Sequence, residues 1–137
     1  MPPSTDPTEA PFAGPSASEG GDPRVDSVRE RFAAAYLATS APLTESLGAK
    51  LVQQNKLYVR DRIALLFDDG SFVEDGRYAN ALAGDLPADG VVTGRGTVDG
   101  RPAIVIANDP TVKAGSWGAR TVEKIVRATE MAMREEL

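Results

Sequence analysis

Val91–Leu137 reads VVTGRGTVDG RPAIVIANDP TVKAGSWGAR TVEKIVRATE MAMREEL, and this stretch decides the fold. Two β-rich runs, Val91–Val98 and Arg101–Ala107, flank Asp99-Gly100, a pair that favours the two-residue turns of β-hairpins. Ala103-Ile104-Val105-Ile106-Ala107 is unbroken and apolar, as expected of a strand covered on both faces. From about Trp117 a helix is predicted, with Val122, Ile125, Val126, Thr129 and Met133 on its apolar side. Glu123 with Arg127 and Glu130 with Arg134 are placed to pair one turn apart on the wet side. The order is β-β-α.

Between the second strand and the helix lies Asn108-Asp109-Pro110-Thr111-Val112-Lys113-Ala114-Gly115-Ser116. Ser116 is expected to cap the helix after a flexible Gly115. Free backbone N–H groups and the positive dipole end would then face an anion, with Lys113 just upstream as a point charge for phosphate. Two readings stand side by side: an anion site, or a plain cap beside a solvated lysine, since every helix needs its first N–H groups satisfied.

Upstream, Met1 to Arg24 carries six prolines, four acids and a single large apolar residue, Phe12, and is expected to be disordered. Asp26 or Ser27 can cap a first helix with Val28, Phe32, Ala35 and Tyr36 on one stripe. Pro42 separates it from a second segment in which Leu43, Leu47 and Leu51 align, weakened by Gly48. A third helix is predicted from Tyr58 to Asp68, with Val59, Ile63, Leu66 and Phe67 inward and Gly70 near its end. Arg60 and Arg62 read as surface charges. Ser71–Glu74 reads as a short strand. Asp75–Gly90 is a long connection that Tyr78, Asn80 and Leu82 could anchor. Gly94 and Gly96 share one strand face, which signals a bulge or a close approach. Their spacing with Gly100 is not a dinucleotide fingerprint, and no phosphate-binding Gly-Lys-Ser/Thr loop exists.

The chain has 137 residues, formal charge −5, no Cys and no His. Disulfides, a Cys₂His₂ zinc site, a Cys nucleophile and a Ser-His-Asp triad are excluded within it. No metal site is expected. Lack of cysteine fits a cytoplasmic protein. No apolar run suits a membrane span, no secretory signal opens the chain, and its acidity argues against nucleic acid. The charge is uneven. Residues 1–90 hold eight Lys/Arg against fourteen Asp/Glu, whereas residues 91–127 hold Arg95, Arg101, Lys113, Arg120, Lys124 and Arg127 against Asp99, Asp109 and Glu123. Such a basic segment could focus a field on an anionic ligand, or Arg120, Lys124 and Arg127 could form a solvated helix face.

Several of these residues resemble a known family. Asp89-Gly90-Val91-Val92-Thr93-Gly94, Asp99-Gly100-Arg101-Pro102, Ala107-Asn108-Asp109 and Thr111-Val112-Lys113-Ala114-Gly115-Ser116 together resemble the biotin-dependent acyl-CoA carboxyltransferases. These are the β subunits of propionyl-, acetyl- and methylcrotonyl-CoA carboxylases. Lys56–Phe72 resembles the same family's N-terminal helix, and the resemblance implies that Arg60 and Arg62 could help seat this arm against the rest of the enzyme. Two positions depart from its pattern: Ala114 stands where a second glycine is usual, and Tyr58-Val59 replace small or polar residues.

The resemblance implies an α+β, crotonase-like fold, a spiral of ββα units in chains several times longer. This chain would comprise a tail (1–24), an N-terminal helical arm (25–74) and a first ββα unit (75–137). It also implies acyl-CoA as substrate, with Lys113, Ala114, Gly115 and Ser116 as the contacts in this segment. Biotin would be carried on a partner biotin carrier or biotin carboxylase subunit rather than bound here, and the enzyme would be a homo-oligomer, a hexamer. Carboxyl would pass from carboxybiotin to the acyl α-carbon. The oxyanion-stabilising loops would lie beyond Leu137, so this chain alone is expected to be inactive. A thin core supports that expectation, because one helix covers one face of the hairpin and little remains for the other. The alternatives are a non-enzymatic fragment that completes a partner carboxyltransferase chain and a free-standing CoA- or nucleotide-binding domain.

Overall fold

A computed structural model describes residues 23–40, 43–83 and 88–137. Helices α1 (Pro23–Thr39), α2 (Glu45–Gln53) and α3 (Val59–Leu66) precede strand β1 (Val73–Asp75). Strands β2 (Val91–Val98) and β3 (Arg101–Asn108), a short 3₁₀ turn (Lys113–Gly115) and helix α4 (Ala119–Glu135) follow. The expected tail lies outside the described residues except at its end, where Pro23 and Arg24 already belong to α1. That helix starts ahead of the expected cap, and the Ser27 hydroxyl donates back to Arg24 O at 3.0 Å. In α2 the cap is Thr44, whose Oγ1 accepts from the Leu47 N–H.

The hairpin forms as expected, with Val98 opposite Arg101 and both turn residues, Asp99 and Gly100, at positive φ. Two adjacent left-handed residues match the right-handed twist of the flanking strands. Asp68 holds this turn from outside. Its carboxylate accepts from the Thr97 hydroxyl (2.5 Å) and from the Asp99 and Gly100 N–H groups (3.0 and 2.9 Å). These bonds, Thr97's above all, hold the Asp68 carboxyl below its ordinary pKa.

β1 pairs antiparallel with β2, giving a sheet of order β1-β2-β3. Both of its faces are covered in part. Val59, Ile63 and Phe67 of the α3 segment form a core with Val92, against which Val98, Ala103, Val105 and Ala107 pack. Leu66, expected inward, is exposed, because the helix ends there and Phe67 turns extended. So α3 fills much of the face that the sequence seemed to leave open. The glycine signal resolves as close approach. A Cβ on Gly94 would stand 2.5 Å from Val73 O and 2.6 Å from the Phe72 ring, and one on Gly96 would stand 2.6 Å from the Phe67 ring.

α4 covers the opposite face, but not with the expected residues. Thr121, Lys124 and Ala128 are buried against the sheet, whereas Val122, Val126 and Met133 are exposed. Lys124 is therefore no solvated charge. It lies 3.0 Å from Asp89, with both side chains buried, and donates to Val91 O. Arg120 pairs with Glu123, Arg127 reaches Asp75 at 3.1 Å and Arg134 lies against Glu135, in place of the expected pairs.

Arg60 is not a free surface charge either. It grips Glu74 of β1 with two bonds, 2.8 and 3.3 Å. Burial works against its charge, but Glu74 outweighs burial and its pKa is raised. Arg77 contacts the same carboxylate at 3.0 Å and lies over the Tyr36 ring, 4.1 Å from its centre. Phe32 meets Tyr78 at 5.6 Å. α1 is thus seated on the segment after β1 by ring faces.

Candidate functional site

β3 delivers Asn108 to the start of the loop that the sequence singled out. Asp109 is buried there, and its N–H donates to Gly90 O at 2.9 Å. Its Oδ1 accepts from the Thr111 N–H (2.9 Å) and hydroxyl (2.6 Å), a turn that an Asp-x-Thr sequence favours. Val112 plugs the loop into the interior. Gly90 permits the approach, since a Cβ there would lie 3.0 Å from Ser116 O.

Lys113, Ala114 and Gly115 then run left-handed in succession, with φ of 42°, 54° and 77°. Ala114 therefore adopts the conformation in which a glycine carries no steric cost. The Gly115 N–H donates to Val112 O (2.8 Å) and the Ser116 N–H to Lys113 O (3.1 Å). These two N–H groups are thus engaged within the turn.

Ser116 does not cap the helix. It and Gly118 are extended, with ψ of 148° and 179°, so α4 cannot begin before Ala119. Gly118 takes the cap position, its N–H donating to the Thr121 hydroxyl at 3.0 Å. That hydroxyl donates in turn to Asp89 at 2.7 Å. The dipole end of α4 therefore lies at Gly118 and Ala119, beyond the four candidate residues.

What the loop presents is a cation and an aromatic face. Lys113, Ala114 and Ser116 are exposed, and so is Trp117. The indole is oriented by its N–H, which donates to Asn108 Oδ1 at 3.2 Å, while Arg62 donates to Asn108 O at 2.9 Å. Asn108, Arg62 and Trp117 join the site without having been singled out for it. The Arg62 contact spans 46 residues, which no local spacing signals. An exposed ammonium and an oriented indole carried by one loop suit the phosphate and ring system of a nucleotide.

A cleft of about 320 Å³ lies elsewhere, between α4 and the sheet, with Arg95, Arg127, Arg134, Ile104 and Met131 in its lining. None of the four candidate residues lines it. Among the described residues no group of His, Cys, Asp or Glu is placed to hold a metal ion, and no helix is long and apolar enough to cross a membrane.

The family described as the carboxyl transferase domain matches residues 50–137, which include α3, the whole sheet, the candidate loop and α4. The chain belongs to this family. An uncharacterized carboxylase of Bacillus subtilis, YngE, is 55% identical over 80 residues, covering 58% of this chain and 16% of that protein. The propionyl-CoA carboxylase beta chain of Saccharopolyspora erythraea is 43% identical over 98 residues, covering 66% and 18%. Among solved structures, transcarboxylase 12S, a hexamer described with methylmalonyl-coenzyme A bound, superposes with a TM-score of 0.69 at 33% identity. That match covers 80% of this chain and 23% of the other. The crotonase-like, mixed α and β class expected from the resemblance therefore holds. The chain spans under a fifth of the length of these curated relatives.

Proposed function

We propose that this chain serves an acyl-CoA carboxyltransferase of the biotin-dependent kind, in which a carboxyl group passes to the α-carbon of an acyl-CoA. The observation that supports it most is the family match over residues 50–137, which takes in the hairpin and the Asn108–Trp117 loop, together with a relative named as a propionyl-CoA carboxylase beta chain. Lys113 is the residue assigned to acyl-CoA, its ammonium meeting a phosphate, with Ala114, Gly115 and Ser116 forming the turn that holds it out. The exposed flank of Trp117 offers the nucleotide base a surface.

Carboxybiotin, held by a partner subunit, would supply the carboxyl group. The cleft between α4 and the sheet is lined by none of the four candidate residues, and no step is assigned to this chain through it. The carboxyl transfer itself belongs to a longer carboxyltransferase assembly, a homo-oligomer in the cytoplasm, and this chain alone is expected to be inactive.

Trp117 is the single tryptophan, so its fluorescence reports on this loop alone. CoA titration should give saturable quenching that weakens with Lys113→Ala. No response at millimolar CoA, or one indifferent to Lys113→Ala, would remove the CoA assignment. It would leave the second reading, a non-catalytic fragment that completes a partner chain, which the exposed outer side of α4 favours.

A further inference from the structure

The apolar line of α4 points away from the sheet. Val122, Val126 and Met133 are 47%, 48% and 76% exposed, while Thr121, Lys124 and Ala128 are buried against the strands. At 3.6 residues per turn, Val122, Val126, Thr129 and Met133 form one line about half a turn round from Lys124. A helix with an apolar line normally buries that line. Exposure alone would suit any apolar partner.

The flanks of the line narrow the choice. On one flank the helical spacing sets Glu123, Arg127, Glu130 and Arg134, all exposed. On the other it sets Ile125 and Ala132, half-buried and uncharged. In an antiparallel pair of α4 helices, Val122 can lie opposite the partner's Met133 and Val126 opposite the partner's Thr129. The two-fold axis of such a pair brings like flank to like flank. Glu123 then falls within about 1.5 Å along the helix axis of the partner's Arg134, and Glu130 equally close to the partner's Arg127. Symmetry forms each pair twice, and Ile125 meets the partner's Ala132. A parallel pair would instead set the charged flank against the partner's uncharged one. Antiparallel helices also oppose their dipoles favourably. The order of charge on α4 is therefore complementary to itself.

These charges are within reach of a second copy. Among the described residues Glu130 makes no ion pair. Arg134 approaches Glu135 only to 3.8 Å. Arg127 meets Asp75 through Nε, with 69% of its side chain exposed. Glu123 is held by Arg120, an exposed pair on the same helix that can share its carboxylate. We propose that α4 is a self-recognition surface, through which two copies of this chain associate by antiparallel α4 helices. Neither the carboxyltransferase reading nor CoA contact at Lys113 enters this inference.

Sedimentation equilibrium of the full chain tests it, at low salt where exposed charges are least screened. The parent should dimerise. Glu123→Arg, Glu130→Arg should raise the dissociation constant at least about tenfold, because arginine then faces arginine. Arg127→Glu, Arg134→Glu should do the same, and an equimolar mixture of the two variants should regain association as a heterodimer. Circular dichroism should match the parent's in both, since the substituted side chains are exposed. If a reversed variant loses its helical signal, Glu123→Gln, Glu130→Gln decides instead: weaker association is expected, and unchanged association overturns the proposal. A parent that stays monomeric at submillimolar concentration also overturns it and leaves the stripe to a different chain. Association indifferent to the charges of α4, as from an interface elsewhere, overturns it too, and so does a mixture of folded variants that remains monomeric.

Discussion

The Lys124 ammonium lies 3.0 Å from the Asp89 carboxylate, with their side chains only 6% and 5% exposed. Asp89 Oδ1 accepts from Thr121, while Oδ2 faces the ammonium too obliquely for a hydrogen bond, and Lys124 aims its donor at Val91 O. Removing one partner strands a buried charge. Lys124→Met or Asp89→Ala should each cost about 3–5 kcal/mol, and the double replacement should cost less than their sum. Urea unfolding of the three variants checks this, and full additivity would contradict a coupled pair.

Gly94 and Gly96 seat aromatic rings, so a single added methyl meets occupied space. Gly94→Ala should destabilise more than Gly96→Ala, because it strikes the Val73 carbonyl as well as a ring. Overpacking of this kind costs about 1–3 kcal/mol. A denaturation midpoint unchanged by either substitution would show that the rings are not in place.

Ala114 sits at φ 54° with its Cβ crowding the backbone. Ala114→Gly should stabilise the chain by about 0.5–1 kcal/mol, the steric relief outweighing glycine's greater freedom when unfolded. Gly115→Ala, at φ 77°, should lose about 1 kcal/mol. Melting temperatures read both, and the opposite order of effects would contradict a left-handed loop.

Asp68 makes the hairpin turn sensitive to acid. Its folded pKa is lowered by the Thr97 hydroxyl and the turn N–H groups, so its contribution is complete above the ordinary carboxylate value and disappears as pH falls through the folded one. The Gly100 amide signal in NMR should titrate below the ordinary carboxylate pKa of about 3.9. In Asp68→Asn that step should vanish. A midpoint at or above the ordinary value would contradict the clamp.

Local chemistry made much of this fold legible. Asp99-Gly100 fixed the hairpin, Val59, Ile63 and Phe67 showed their helical spacing, and the glycines of β2 announced a close approach. What stayed hidden depends on residues far apart in the chain. Lys124 reads as a surface charge until Asp89, 35 positions earlier, is brought beneath it. Its burial then rotates α4 and turns Val122 and Val126 outward. In the candidate loop, Ser116 has a good capping side chain, but Ser116 and Gly118 are both extended, which postpones the helix, and Thr121 completes the cap. Lys113 was legible as exposed; the left-handed run that presents it, and the Arg62–Asn108–Trp117 contacts behind it, were not.

Glu74 receives Arg60 from α3 and Arg77, whose guanidinium also covers Tyr36 of α1. One carboxylate therefore acts as a junction between the outer arm and the core of the sheet. Without it two guanidiniums would face each other unneutralised, and both helices would loosen together. Changes at Tyr36 and Arg60, which lie on different helices, should consequently show epistasis transmitted through a residue that neither of them replaces.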